Sequence, residues 1–125
     1  MIKLPARGSF MDFHNITLEE LDQSDLDALE FGVIRMNSLG VVEHYNTAEA
    51  KISGLTKERV EGRNFFEEVG ICMNNYMVAL RFEESGRLDD MLDYVFTARM
   101  DPTPVSLRLL KSDDSEFRYL LVRPK

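Results

Sequence analysis

Tyr45, Glu49 and Ser53 stand four residues apart, where a strand-like run gives way to a helical one. At that spacing Glu49 and Ser53 share one helical face, and Tyr45 lies at the junction just before it. One reading makes Tyr45 a half-buried core residue and Glu49 a solvated one, as holds for most such pairs. The other turns both tips into one pocket, where a carboxyl held away from water stays protonated and can donate a hydrogen bond. Ser53 would extend that network. The one cysteine, Cys72, follows Glu67-Glu68-Val69-Gly70-Ile71, an irregular break between helical pieces. A lone cysteine is commonly an apolar filler. The chemical alternative is a thiolate nucleophile or covalent anchor, and the irregular setting suits a pocket wall better than a helix core. Phe65, Phe66, Phe96 and Met100 are residue types more often core than the lining of a ligand site, and their spacing does not discriminate.

Other chemistry is missing. His14 and His44 are the only histidines, and neither has metal-ligand spacing to another histidine or to Cys72, so no metal is expected. No phosphate-binding glycine loop or nucleophile elbow is present, and Cys72 has no evident base, so an enzyme is not expected. Acids outnumber bases 22 to 15 over 125 residues, a net charge of −7. That charge repels phosphate backbones and anionic lipid, which argues against nucleic acid or a membrane surface as partner. A single cysteine forms no internal disulfide, so no oxidising compartment is needed. No segment approaches the ~18 apolar residues that span a bilayer, and MIKLPARGSF lacks the apolar stretch of a secretory signal. The expectation is one acidic cytoplasmic domain, monomeric or weakly dimeric.

The elements that must position these residues follow from periodicity. Thr17 and Glu20 have capping-box spacing, and Leu18, Leu21, Leu26 and Leu29 give apolar faces to one or two short helices ending near Glu30. Alternation from Val33 to Asn37, the turn Asn37-Ser38-Leu39-Gly40 and the run Val41 to Tyr45 predict a hairpin. Short helical pieces follow: one capped by Asn46 or Thr47 and closed by Gly54, one around Lys57 to Val60, and one capped by Asn64. Asn75 to Ser85 reads as a longer helix with Tyr76 and Leu80 inward, joined by Ala79 and Phe82. Strands are expected at Met91 to Met100, Val105 to Lys111 and Phe117 to Arg123. This order predicts an α+β fold, an antiparallel five-stranded sheet with short helices on one face and an N-terminal helical segment. It is the topology of the PAS domains, sensors and interaction modules whose pocket lies between sheet and helices.

The segments LDALEFGVI, HYNTAEAKISG, GRNFFEEVGIC and DYVFTARMDPTPV resemble the photoactive yellow protein (xanthopsin) family of PAS-domain blue-light receptors. The likeness runs from about Leu26 to Val122, which divides the chain into an N-terminal helical cap, 1–25, and a chromophore-binding PAS domain, 26–125. The resemblance implies p-coumaric acid (4-hydroxycinnamic acid) as a thioester on Cys72. It implies that Tyr45 and a protonated Glu49 hold the phenolate, with Ser53 where the family has a threonine. Phe65, Val69, Phe96 and Met100 would complete the pocket, Met100 being associated with return to the dark form. It further implies a reversible photocycle: light isomerises the trans double bond to cis and Glu49 passes its proton to the phenolate. Partial unfolding then signals to a downstream protein. The N-terminal segment is the part expected to be released, because its packing reads as the weakest. Leu55 stands where the family usually has an arginine, Ala98 where it has a tyrosine, and Ile71 where a proline precedes the cysteine. The alternative is a chromophore-free PAS interaction module that uses the same residues for packing.

Overall fold

The apolar residues of the five strand-like runs bury on both faces of one sheet. A computed structural model describes Phe10, Phe13 and residues 18–84, 86–97, 102–113 and 115–125. Its strands are β1 (Gly32–Met36), β2 (Val42–Tyr45), β3 (Leu88–Phe96), β4 (Thr103–Lys111) and β5 (Arg118–Pro124). They lie in the order β2-β1-β5-β4-β3, and every neighbouring pair is antiparallel. The helices are α1 (Gln23–Asp27), α2 (Thr47–Ser53), α3 (Lys57–Val60) and α4 (Ala79–Glu84), with a π-helical turn at Phe65–Val69 and a 3-10 turn at Ile71–Met73.

Alternation along the strands sends side chains to opposite faces. Ile34, Met36, Leu107, Leu109, Leu120 and Val122 join one core with Tyr45, Phe65, Phe66, Val78, Phe82 and Phe96. Val33, Leu110, Tyr119 and Leu121 join a second core with Phe10, Phe13, Leu18, Leu21, Leu26, Leu29 and Phe31. Phe10, Phe13 and the stretch from Leu18 to Phe31 thus cover the sheet face opposite α2 and α3.

At Phe10 and Phe13 the packing is tight. Phe10 and Phe13 set their rings edge-on against Phe31, at centroid distances of 5.6 and 5.4 Å. Arg108 is 1% exposed and donates from Nη1 to the carbonyls of Phe10 (3.1 Å) and Phe13 (2.6 Å). Its Nε and Nη2 meet both Asp89 carboxylate oxygens at 3.0 Å. A buried guanidinium is stable only when its donors are filled, and here they hold a remote chain segment. Arg108→Ala removes the donors and leaves buried carbonyls behind. Urea titration should show a loss of about 3–5 kcal/mol; a loss under about 1 kcal/mol would mean that water replaces the guanidinium freely.

Local corrections have physical causes. Strand β3 begins at Leu88, not Met91, because Asp89 is neutralised by Arg108 and Asp90 by Arg81 at 2.8 Å. Residues Ala98 and Met100 of the expected strand lie outside the described residues, as does Thr17 of the expected capping box. The capping box present uses Asp22 and Asp25 to start α1. Between Asn75 and Glu84 only Ala79–Glu84 is α-helix, and the inward residues are Val78 and Phe82. Tyr76 is 75% and Leu80 45% exposed. Val78 and Phe82 are one helical turn apart, so their shared stripe turns Leu80 to the other side.

Candidate functional site

Helix α2 places the first three candidates. Asn46 at its N-cap accepts from the Glu49 N–H at 3.0 Å, and Gly54 closes it at φ 79°, a conformation glycine adopts without strain. Asn46 is fully buried and fully used. Its Oδ1 also accepts from Val33 N–H, and its Nδ2 donates to the carbonyls of Leu26 and Phe31 at 2.8 and 3.0 Å. One side chain therefore fixes the start of α2 to β1 and to the chain leaving α1.

Tyr45 ends β2 with its hydroxyl donating to Ser53 Oγ at 2.5 Å, and Ser53 Oγ also accepts from the Leu55 N–H at 3.1 Å. Glu49, 4% exposed, presents its carboxyl to the same Tyr45 hydroxyl. Burial pushes the Glu49 carboxyl up to about 8, against a smaller downward pull from the Tyr45 hydrogen bond. Burial, together with the neighbouring Glu49, raises Tyr45 above the ordinary phenol range. Glu49 Oε1 is buried with no hydrogen-bond partner among the described residues. Gly32 makes room for it, since a Cβ there would lie 2.1 Å from that oxygen. The arrangement keeps a neutral carboxyl and a phenol side by side in a dry core, both able to donate.

Cys72 sits half-buried in the 3-10 turn and packs with Val69 and Leu55 against the core that contains Tyr45, Phe65 and Phe96. Gly70 lets the chain pass Phe65 closely, because a Cβ there would meet the ring at 2.5 Å. The structure thus gathers Tyr45, Glu49 and Ser53 into one hydrogen-bonded cluster and sets Cys72, Phe65, Val69 and Phe96 around one core. Met100 lies outside the described residues. Leu55 and Val69 also line a cleft of about 150 Å³ with Arg59, Val60, Arg63 and Glu68. Cations therefore stand near residue 55 even though residue 55 is apolar.

Sequence reasoning missed Gly32, Asn75 and Tyr94, and gave Asn46 only a capping role. Tyr94 shares the alternation of β3 with Phe96, two residues on, but the target of its hydroxyl has no sequence signal. Among the described residues no cluster of His, Cys, Asp or Glu is arranged to hold a metal ion, and no helix is long and apolar enough to cross a membrane.

The photoactive yellow protein of Halochromatium salexigens is 38% identical to this chain over 109 residues, 83% of this chain and 87% of that one. The chain belongs to the photoactive yellow protein family. Its relative in Rhodobacter capsulatus is 30% identical over 115 residues, covering 90% of this chain and 91% of the other. Among solved structures, the photoactive yellow protein domain of the sensor histidine kinase Ppr from Rhodospirillum centenum superposes with a TM-score of 0.79 at 36% identity. That match covers 86% of this chain and 96% of the domain. The PAS domain of an HTR-like protein from Haloarcula marismortui matches with a TM-score of 0.65 at 13% identity, over 82% of this chain and 93% of that one, a likeness of fold alone. No family model matches the chain. The family's fold, a PAS sheet with short helices, is the fold seen here, and the family is one of sensors.

Proposed function

We propose that this chain is a blue-light photoreceptor with a reversible photocycle, carrying p-coumaric acid as a thioester on Cys72. The observation that carries the reading is the buried, unpartnered Oε1 of Glu49, whose carboxyl group also meets the Tyr45 hydroxyl. An orphaned polar atom in a core is costly and calls for a partner. A phenolic oxygen fits it, because a neutral carboxyl and a phenol are both donors to an anionic oxygen. When bound, p-coumaric acid supplies such an oxygen, together with a double bond that light isomerises between trans and cis.

The chain's own residues do the rest. Cys72 Sγ holds the acyl group. Tyr45 Oη and the protonated Glu49 carboxyl donate to the phenolic oxygen, the Tyr45 proton turning away from Ser53, whose own hydroxyl then donates to Tyr45 Oη and keeps the ring in place. Phe65, Val69 and Phe96 form the wall that excludes water. After light has disturbed this arrangement, the Glu49 carboxyl releases its proton toward the phenolic oxygen and becomes a bare carboxylate in the core. An uncompensated buried charge costs several kcal/mol against a total stability of roughly 5–15 kcal/mol, so local opening that rehydrates it is favoured.

The opening reaches the end of the N-terminal cap, residues 1–25, through Asn46, which accepts from the Glu49 N–H and donates to the carbonyl of Leu26, the residue that follows the cap. The cap then leaves because its tie to α2 moves, and the change is read by a downstream signalling protein. The test is the absorption spectrum and intact mass after mixing the ligand-free chain with activated p-coumaric acid. A single acyl adduct and a visible band that bleaches in blue light and returns in the dark are expected. No adduct would leave a chromophore-free PAS interaction module in its place.

A further inference from the structure

The backbone carbonyl of Cys72 has a use of its own. Within the turn that carries it, the carbonyls of Gly70, Ile71 and Met73 accept from the N–H groups of Met73, Asn74 and Asn75 at 2.9, 3.0 and 2.9 Å. The Cys72 carbonyl instead accepts from two side chains, the Tyr94 hydroxyl at 2.5 Å and Asn75 Nδ2 at 3.0 Å. Asn75 Nδ2 also donates to the Tyr94 oxygen at 2.7 Å, so the three groups close a ring of hydrogen bonds. The orientation of the Asn75 amide is over-determined. Its Oδ1 accepts from the N–H groups of Met77 and Val78 at 2.9 and 3.2 Å, which leaves only its NH2 to face the carbonyl.

The two donors stand on separate supports. Tyr94 projects from β3, paired with Val105 of β4, and packs against the main core. Asn75 begins the turn into α4, which Val78 and Phe82 fasten into that core. We propose that Tyr94 and Asn75 are positioning residues that fix the peptide unit of Cys72 and thereby the direction and accessibility of its thiol. They act through the backbone carbonyl and not on the sulfur. The functional meaning of this clamp rests on Cys72 being the ligand's anchor: a tether that must hold one end of a ligand while the other end changes partners needs a fixed base.

Because the chain has one cysteine, growth on cysteine labelled with 13C at the carbonyl marks residue 72 alone, and isotope-edited infrared spectroscopy reads its hydrogen bonding. In the ligand-free protein, Tyr94→Phe should move the labelled band to higher wavenumber and raise the rate of Cys72 alkylation by iodoacetamide several-fold. Asn75→Asp keeps an oxygen to cap the following turn but loses the donor, so it should move the band the same way with helix content unchanged by circular dichroism. A band that neither variant moves overturns the clamp. A moved band with an unchanged alkylation rate overturns the positioning role. Neither readout needs light or p-coumaric acid, so failure of the photoreceptor reading would appear separately, as absence of the adduct.

Discussion

Glu49→Gln should flatten the fall in stability that the ligand-free protein shows as pH rises from about 5 to 8, and should leave only a small light-driven change in the loaded protein. In the folded chain burial holds the Glu49 proton up to about pH 8, whereas the ordinary carboxyl releases it near 4.5. Between those values the unfolded chain binds fewer protons, so stability falls as pH rises, by several kcal/mol across the window. Below 4.5 both states are protonated and the full stability is present. Glutamine has no proton to lose, and its profile lacks this slope. His44 adds the opposite trend. Burial and Arg35 lower its pKa, so its contribution is present above 6.5 and lost as pH falls. That trend is common to both proteins and cancels in the comparison. Urea titrations at several pH values measure the difference, and equal slopes in the two proteins would show that Glu49 ionises freely in the fold. In the proposed photocycle, light places the same charge there without a change of pH. The glutamine variant should still colour, and a full-sized structural change on illumination would sink proton release by Glu49 as its cause.

The Tyr45, Glu49 and Ser53 cluster was legible in part, because α2 carries Glu49 and Ser53 and Tyr45 ends the strand just before it. Asn46 and Gly54 bracket α2 in the sequence, but only the packing decides that Glu49 faces the core rather than water. Residues that act across the fold were not legible. Arg108 meets carbonyls 98 and 95 residues away, and nothing in its neighbourhood marks it as buried. Asp89 and Asp90 look like the end of a loop until their arginine partners arrive from β4 and α4. Phe10 and Phe13 have no period to read, because both rings pack against Phe31 in the sheet's second core. Phe82 is inward on α4 as its spacing suggests, but Tyr76 and Leu80, expected beside it, are exposed and Val78 takes their place in the core. Gly32 shows the same limit: its lack of a side chain is explained only by an oxygen on a helix that comes later in the chain.

Cys72→Ala should abolish uptake of activated p-coumaric acid while the domain stays folded. The sulfur is half-buried at the edge of the main core, so its loss removes a modest apolar contact worth roughly 1 kcal/mol. The turn around it is held by backbone bonds and by the Tyr94 and Asn75 donors, all of which an alanine retains. The urea midpoint should therefore shift little. Loading should show no mass gain and no visible band, because no second thiol exists in the chain to accept the acyl group. Cys72→Ser should behave alike: a serine hydroxyl without an adjacent base is a far weaker nucleophile than a thiolate at neutral pH. An adduct that persists on the alanine variant would place the attachment on another nucleophile and overturn Cys72 as anchor. Paired with Glu49→Gln, the result separates two roles. A chain that fails to load only when the sulfur is gone, and loads but fails to respond when the carboxyl is gone, has its anchor and its proton donor on different elements, the 3-10 turn and α2. The structure then requires that any signal pass between them through the shared core or through the ligand itself.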